Sequence, residues 1–215
     1  MKVKVKIDGL TNLNDIKMVI EEGVDLIGFI TGFPESPRNL KFEQIKSFLS
    51  QIPKHIFTVI ATKMELVDNL IKKINPELPK FLQLYGELPN VKQIQGIQQI
   101  KVLHADLNTV FDKVKNDVKQ FDIILVDSSV KGQYGGTGII HNWQISKEIR
   151  NYIYPKPFIL AGGLTPTNVI QAVTKVKQYA VDVSSGVETN VGFKDKIKVR
   201  NFIVNAKSVD MKTNY

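Results

Sequence analysis

Eight short β-rich runs alternate with helical patterns along the whole of this 215-residue chain, and that alternation restricts the possible folds more than any other feature. The strand candidates are 2–7, 25–30, 56–61, 81–84, 100–104, 121–126, 157–161 and 180–183. Helical patterns follow at 12–23, 41–51, 63–74, 89–98, 108–118, 142–153, 166–177 and 194–206. Thr11, Thr62 and Thr165 stand where helix caps are expected. Strand–helix repeats with short links make parallel pairs, and eight of them close into an α/β (β/α)8 (TIM) barrel. The expectation is one such domain over 1–215. An open doubly wound sheet is the alternative, but it usually has fewer strands, and no Gly-x-Gly-x-x-Gly opens the first helix.

In a barrel, the chemistry sits on the loops after the strands' C-terminal ends. Two of these loops are long, Thr31 to Lys41 and Ser128 to His141. Two others are short and glycine-bearing: Ala161-Gly162-Gly163-Leu164 after strand 7 and Val183-Ser184-Ser185-Gly186 after strand 8. Backbone N–H groups bared side by side suit a phosphate monoester, whose oxygens need several donors at close range. That position, after strands 7 and 8, is the recurring phosphate site of such barrels. Gly162, Gly163, Ser185 and Gly186 are therefore the candidate phosphate residues.

Strand side chains alternate between faces. Val3, Val5 and Ile7 should meet the helices, while Lys4, Lys6 and Asp8 point inward with Asp8 at the rim. By the same alternation Asp127 ends strand 6 on the inner face, below Ile123 and Leu125. Each aspartate alone reads as a turn residue. Flanking a phosphate turn together, they suit a proton-shuffling isomerisation, one carboxylate taking a proton and one carboxylic acid giving one. Asp182 lies deeper and should pair with Lys6 on the neighbouring strand, a structural pair, since an unpaired buried charge is costly. Arg38 reads alone as a surface arginine, although its planar fork can grip a carboxylate.

The net charge of +8 raises nucleic acid as a partner. Lysine supplies most of it; the arginines are Arg38, Arg150 and Arg200, and no basic stripe interleaved with aromatics is visible. A solvated lysine-rich surface is the expectation, with no nucleic-acid partner. No apolar run approaches the roughly 20 residues of a membrane span. Met1 leads straight into an alternating strand, so a cytoplasmic location is expected. With no cysteine there is no thiolate metal site, and His55, His104 and His141 are too scattered for ligand spacing, so no metal is expected.

Read together, these segments resemble the phosphoribosylanthranilate isomerases of tryptophan biosynthesis. The resemblance rests on Lys6-Ile7-Asp8-Gly9-Leu10-Thr11, Ser36-Pro37-Arg38, Gln83-Leu84-Tyr85-Gly86, Val126-Asp127 and Tyr134-Gly135-Gly136-Thr137-Gly138 with Trp143. Leu160-Ala161-Gly162-Gly163-Leu164, Asp182-Val183-Ser184-Ser185-Gly186-Val187-Glu188 and Lys194-Asp195 complete it. It implies a cofactor-free Amadori rearrangement of a phosphosugar substrate by a monomer or homodimer. Asp127 matches the acid, Arg38 the residue holding the anthranilate carboxylate, and the two C-terminal turns the phosphate site. Gly135, Gly136, Thr137 and Gly138 match a lid over the ligand. The chain departs from the family at three places. Asp8 stands where the family usually has a cysteine base, Tyr85 where it has histidine, and Ile139-Ile140-His141-Asn142 lacks the customary lysine.

The first departure bears on mechanism. A free thiol with a pKa near ~8.5 is only a few per cent thiolate at neutral pH, whereas an aspartate near ~3.9 is almost fully ionised but a weaker base. An ionised Asp8 would also help Asp127 keep its proton. Two carboxylates would equally suit the related barrel isomerase of histidine biosynthesis, which acts on a bisphosphate. That enzyme needs a second phosphate turn after strands 3 and 4, where this chain has Ala61-Thr62-Lys63-Met64 and Gln83-Leu84-Tyr85-Gly86. A catalytically impaired phosphosugar-binding barrel is the third reading left open by the change at position 8.

Overall fold

The computed structural model describes residues 2–87, 92–104, 114–115, 119–127 and 143–211. Eight parallel strands close into a barrel in simple order: β1 (Lys4–Ile7), β2 (Leu26–Ile30), β3 (Phe57–Lys63), β4 (Phe81–Tyr85), β5 (Gln98–His104), β6 (Ile123–Asp127), β7 (Phe158–Leu160) and β8 (Ala180–Val183). Closure comes from β1 pairing with β8, with Lys6 opposite Asp182 and Ile7 opposite Val183. The expected helices that fall among the described residues are α1 (Leu13–Glu21), α2 (Phe42–Leu49), α3 (Val67–Ile74), α4 (Trp143–Ile153), α5 (Val169–Val176) and α6 (Lys196–Ser208).

The two faces of each strand feed two different cores. Val3, Val5 and Ile7 pack outward with helix residues such as Ile16, Val19 and Phe202. Leu26, Val59, Phe81, Ile100, Leu125 and Ile159 fill the barrel interior. Each such side chain taken from water contributes about 1.5–3 kcal/mol. The inner layer is a plug, so a ligand has only the rim above it to occupy.

Several expectations need correction. The helix expected over 89–98 is absent from the described part: residues 92–97 carry no helix, and Gln98 already belongs to β5. Gly96, at φ +82, breaks the pattern, and pairing of Gln98 and Gln99 with Phe81 and Leu82 extends the strand backward. The helix expected over 108–118 falls almost wholly outside the described residues. The helix caps are also different. Asn12, not Thr11, caps α1, its Oδ1 accepting the Asp15 amide at 2.9 Å, while the Thr11 hydroxyl donates to the Gly192 carbonyl. Thr62 is a buried residue of β3. Thr165 heads a turn in which Asn168 precedes α5. Between β8 and α6 a small hairpin forms, β9 (Glu188–Asn190) against β10 (Phe193–Lys194). Sequence periodicity did not suggest it.

Among the described residues no helix is long and apolar enough to cross a membrane. No cluster of three or more histidine, cysteine or acidic residues there could hold a metal ion.

Candidate active site

The strand ends open onto a cleft of about 770 Å³, open solvent included. Asp8, Arg38, Asp127, Gly162, Gly163, Ser185 and Gly186 all line it, together with Tyr85 and Asp182. Every predicted site residue that lies among the described ones thus reaches one cleft. Gly135, Gly136, Thr137 and Gly138, with His141, lie outside the described residues. His55 lies in the turn before β3 and His104 ends β5, both exposed.

One side of the cleft is built from charge. Lys6, wholly buried inside the barrel, donates to Asp182 Oδ2 at 2.8 Å, as the strand register predicts. It also reaches Asp8 Oδ2 at 3.1 Å and donates to Gln83 Oε1 at 2.7 Å. The pair read as purely structural therefore also grips the candidate base. One ammonium between two carboxylates leaves a surplus negative charge. Burial, opposed by Lys6 and reinforced by the charge of Asp8, pushes Asp182 up to about 7.

Arg38 is not a surface arginine. The loop after β2 carries it over the barrel mouth, where its Nε and Nη2 donate to the two oxygens of Glu188 at 2.8 and 2.6 Å. Lys194 Nζ donates to the same carboxylate at 2.8 Å. Burial alone would raise the Glu188 carboxyl, but the bonds and charges of Arg38 and Lys194 hold it below its ordinary value. A bidentate bond fixes the plane of the guanidinium, and its remaining N–H groups belong to a side chain that lines the cleft.

The opposite side is built from backbone. Gly162 and Gly163 take φ +85 and +63, the left-handed region in which a side chain costs about 1–2 kcal/mol. A Cβ on Gly186 would stand 1.9 Å from the Leu164 carbonyl oxygen. The two turns thus touch backbone to backbone, and only glycine at 186 permits it. Among the described residues, the amides of Gly162, Gly163, Ser185 and Gly186 donate to no protein acceptor. Asn168 braces the first turn, its Oδ1 accepting from the Thr165 amide and its Nδ2 donating to the Gly163 carbonyl.

Asp127 ends β6, nearly buried, with β7 and β8 separating it from β1 around the ring. Tyr85, across the barrel on β4, accepts from Gln83 Nε2 at 3.1 Å. Its hydroxyl is pushed well above the ordinary phenol value by burial and then by the charges of Asp127 and Asp8. Both aspartates therefore act electrostatically on this one group.

Sequence reasoning missed Gln83, Glu188 and Lys194 as parts of the site, and the second grip of Lys6. Inward alternation in β4 places Gln83 beside Lys6 once strand order is known. For Glu188 the usable signal was the Thr-Asn-Val-Gly turn after it, which folds Lys194 back onto the carboxylate.

The profile of one family, "N-(5'phosphoribosyl)anthranilate (PRA) isomerase", matches residues 5–205. The chain is 35% identical to the N-(5'-phosphoribosyl)anthranilate isomerase of Methanosarcina acetivorans, over 94% of this chain and 92% of that one. The crystal structure of phosphoribosyl anthranilate isomerase from Thermotoga maritima superposes with a TM-score of 0.80 at 31% identity, covering 96% of this chain and 100% of the other. A further phosphoribosyl anthranilate isomerase, solved with reduced 1-(o-carboxyphenylamino)-1-deoxyribulose 5-phosphate, superposes at TM-score 0.77 with 29% identity over 96% of this chain and 100% of that one. The chain therefore belongs to the N-(5'-phosphoribosyl)anthranilate isomerase family.

Proposed function

We propose that the chain converts N-(5'-phosphoribosyl)anthranilate into 1-(o-carboxyphenylamino)-1-deoxyribulose 5-phosphate, the isomerisation of tryptophan biosynthesis, with Asp8 and Asp127 as its proton carriers. One observation carries the assignment: two carboxyl groups, a braced guanidinium and two bare-backbone turns share a single cleft. The substrate has a counterpart for each of them. Its phosphate sits on the amides of Gly162, Gly163, Ser185 and Gly186. Its anthranilate carboxylate meets Arg38, and its ribose carbons lie between the aspartates.

Asp127, protonated, gives its proton to the furanose oxygen. The C1′–O bond breaks and the nitrogen lone pair forms a C1′=N iminium. Asp8 then removes the C2′ proton. The electron pair of that C–H bond becomes the C1′=C2′ bond, and the iminium π pair returns to nitrogen. The resulting enol gains a proton at C1′ and loses the one on O2′ to give the ketone, and the proton left on Asp8 returns to Asp127 through solvent. The protons balance, and no redox partner is consumed.

Asp8 takes the place of the thiol expected from the resemblance. Its support as a base is positional: it borders the cleft, one of its oxygens rests on an ammonium, and the other makes no hydrogen bond. Steady-state conversion of the anthranilate substrate and of the histidine-pathway bisphosphate aminoaldose tests the reading. A higher kcat/KM for the anthranilate substrate is expected. Faster conversion of the bisphosphate, or product binding with no turnover of either, contradicts it.

A further inference from the structure

We infer that Lys6 is the positioning residue for Asp8: it pins Oδ2 of the carboxylate and, with Gly28 making room for Oδ1, fixes how the group sits at the cleft. The inference rests on the proposed role of Asp8 and gives that carboxylate its support.

An ammonium has three donors. Lys6 has three acceptors, Gln83 Oε1 at 2.7 Å, Asp182 Oδ2 at 2.8 Å and Asp8 Oδ2 at 3.1 Å. With its donors committed and its side chain wholly buried, Lys6 has none left for a substrate. It acts through Asp8. Gln83 and Asp182, on β4 and β8, hold the ammonium from two directions, so the brace is stiff.

Asp8 Oδ1 is buried without a hydrogen-bond partner. Such an atom costs free energy that folding alone does not recover. It occupies space kept open by Gly28 on β2. A Cβ there would stand 1.9 Å from Oδ1, 2.8 Å from Cγ and 3.0 Å from Lys6 Cε. The seat therefore has two parts, a cation under one oxygen and a missing side chain beside the other. Asp182 also leaves Oδ1 bare, but it lies opposite Lys6 in the strand register, two residues deeper in the barrel than Asp8 at the rim. Among the described residues, the other charged or titratable groups that act on Asp8 or share its cleft include Arg38 from the loop after β2, Tyr85 from β4, Asp127 from β6 and Lys194 from β10.

The chain has no cysteine, so Asp8→Cys introduces a sole thiol whose ionisation reads the field at the seat. Thiolate ultraviolet absorbance is followed against pH in Asp8→Cys alone, with Lys6→Met added, and with Asp182→Asn added. Loss of the cation should move the thiol midpoint up by about one pH unit or more, and loss of the competing carboxylate should move it down. Coincident midpoints in the folded variants overturn the inference. If Lys6→Met does not fold, as circular dichroism would show, the direction of the Asp182→Asn shift decides alone. On the Asp8 chain, Lys6→Met should lower kcat at least roughly tenfold with KM little changed, since Lys6 acts on the base and not on binding. An equal rise in KM would contradict that. The thiol readout needs no turnover, so its failure is distinct from a failure of the isomerase reading, which shows as an inactive parent chain.

Discussion

The two halves of the rim hold their ligand groups by opposite means. Around β1, the loop after β2 and the β9–β10 hairpin, the site is made of side-chain charge, and each charge is braced by another: Lys6 by Asp182 and Gln83, Arg38 by Glu188, Glu188 by Lys194. Around β7 and β8 the site is made of main chain, with no side chain between the two turns where Gly186 meets Leu164. The first arrangement is suited to moving protons, because its charges are buried and strongly coupled. The second is suited to gripping an anion, because amides offer directed donors that do not titrate. The difference separates titrating groups from a cradle that does not titrate: loss of a proton-carrying carboxyl should lower kcat, while changes at Arg38 or in the glycine turns should act on binding.

The largest effect should come from the proton-carrying carboxyl groups. Asp127→Asn should lower kcat by about 10²- to 10⁴-fold with KM little changed, measured by steady-state kinetics. Arg38→Met should instead raise KM about 10- to 100-fold, the value of a charge-assisted hydrogen bond. Glu188→Gln should weaken substrate binding in the same direction and cost about 3 kcal/mol in urea unfolding, because it strips Arg38 and Lys194 of their shared buried partner. On the backbone side, Gly186→Ala should raise KM roughly tenfold, about the loss of one hydrogen bond to a charged group, and leave kcat nearly intact. A fall in kcat alone at Gly186 would break the division between the two sides.

The smallest effect is on stability against pH. Asp182 has its carboxyl raised from 3.8 to about 7, so within that window the folded chain keeps a proton that the unfolded chain has released. Its contribution to stability therefore falls as pH climbs through the window and is level above it. Asp182→Asn should flatten that part of the stability profile in urea titrations. Glu188 works in the other direction. Its lowered carboxyl contributes stability that is lost as pH falls below 4.5 and through the folded value.

The division also explains what could be read before the structure. The bare turns were legible because glycine is itself the signal, and strand alternation put Asp8, Lys6 and Asp127 on the inner face. The Lys6–Asp182 pair followed from closing the ring. The braces were less legible because they join distant stretches: Arg38 to Glu188 spans 150 positions and Lys6 to Gln83 spans 77. No local periodicity encodes such a bond. Arg38 consequently looked like a surface residue until the hairpin after β8 brought Glu188 beneath it. The helix expected over 89–98 failed for a related reason, since pairing with β4 set the start of β5.

The central claim is that a carboxylate at position 8 works as the base. Its most direct test follows the loss of N-(5'-phosphoribosyl)anthranilate fluorescence with the parent chain and with Asp8→Asn, both shown to be folded. The parent should turn the substrate over, and Asp8→Asn should lower kcat by about 10²- to 10⁴-fold. An inactive parent, or an Asp8→Asn chain that turns over at the parent's rate, would contradict the account.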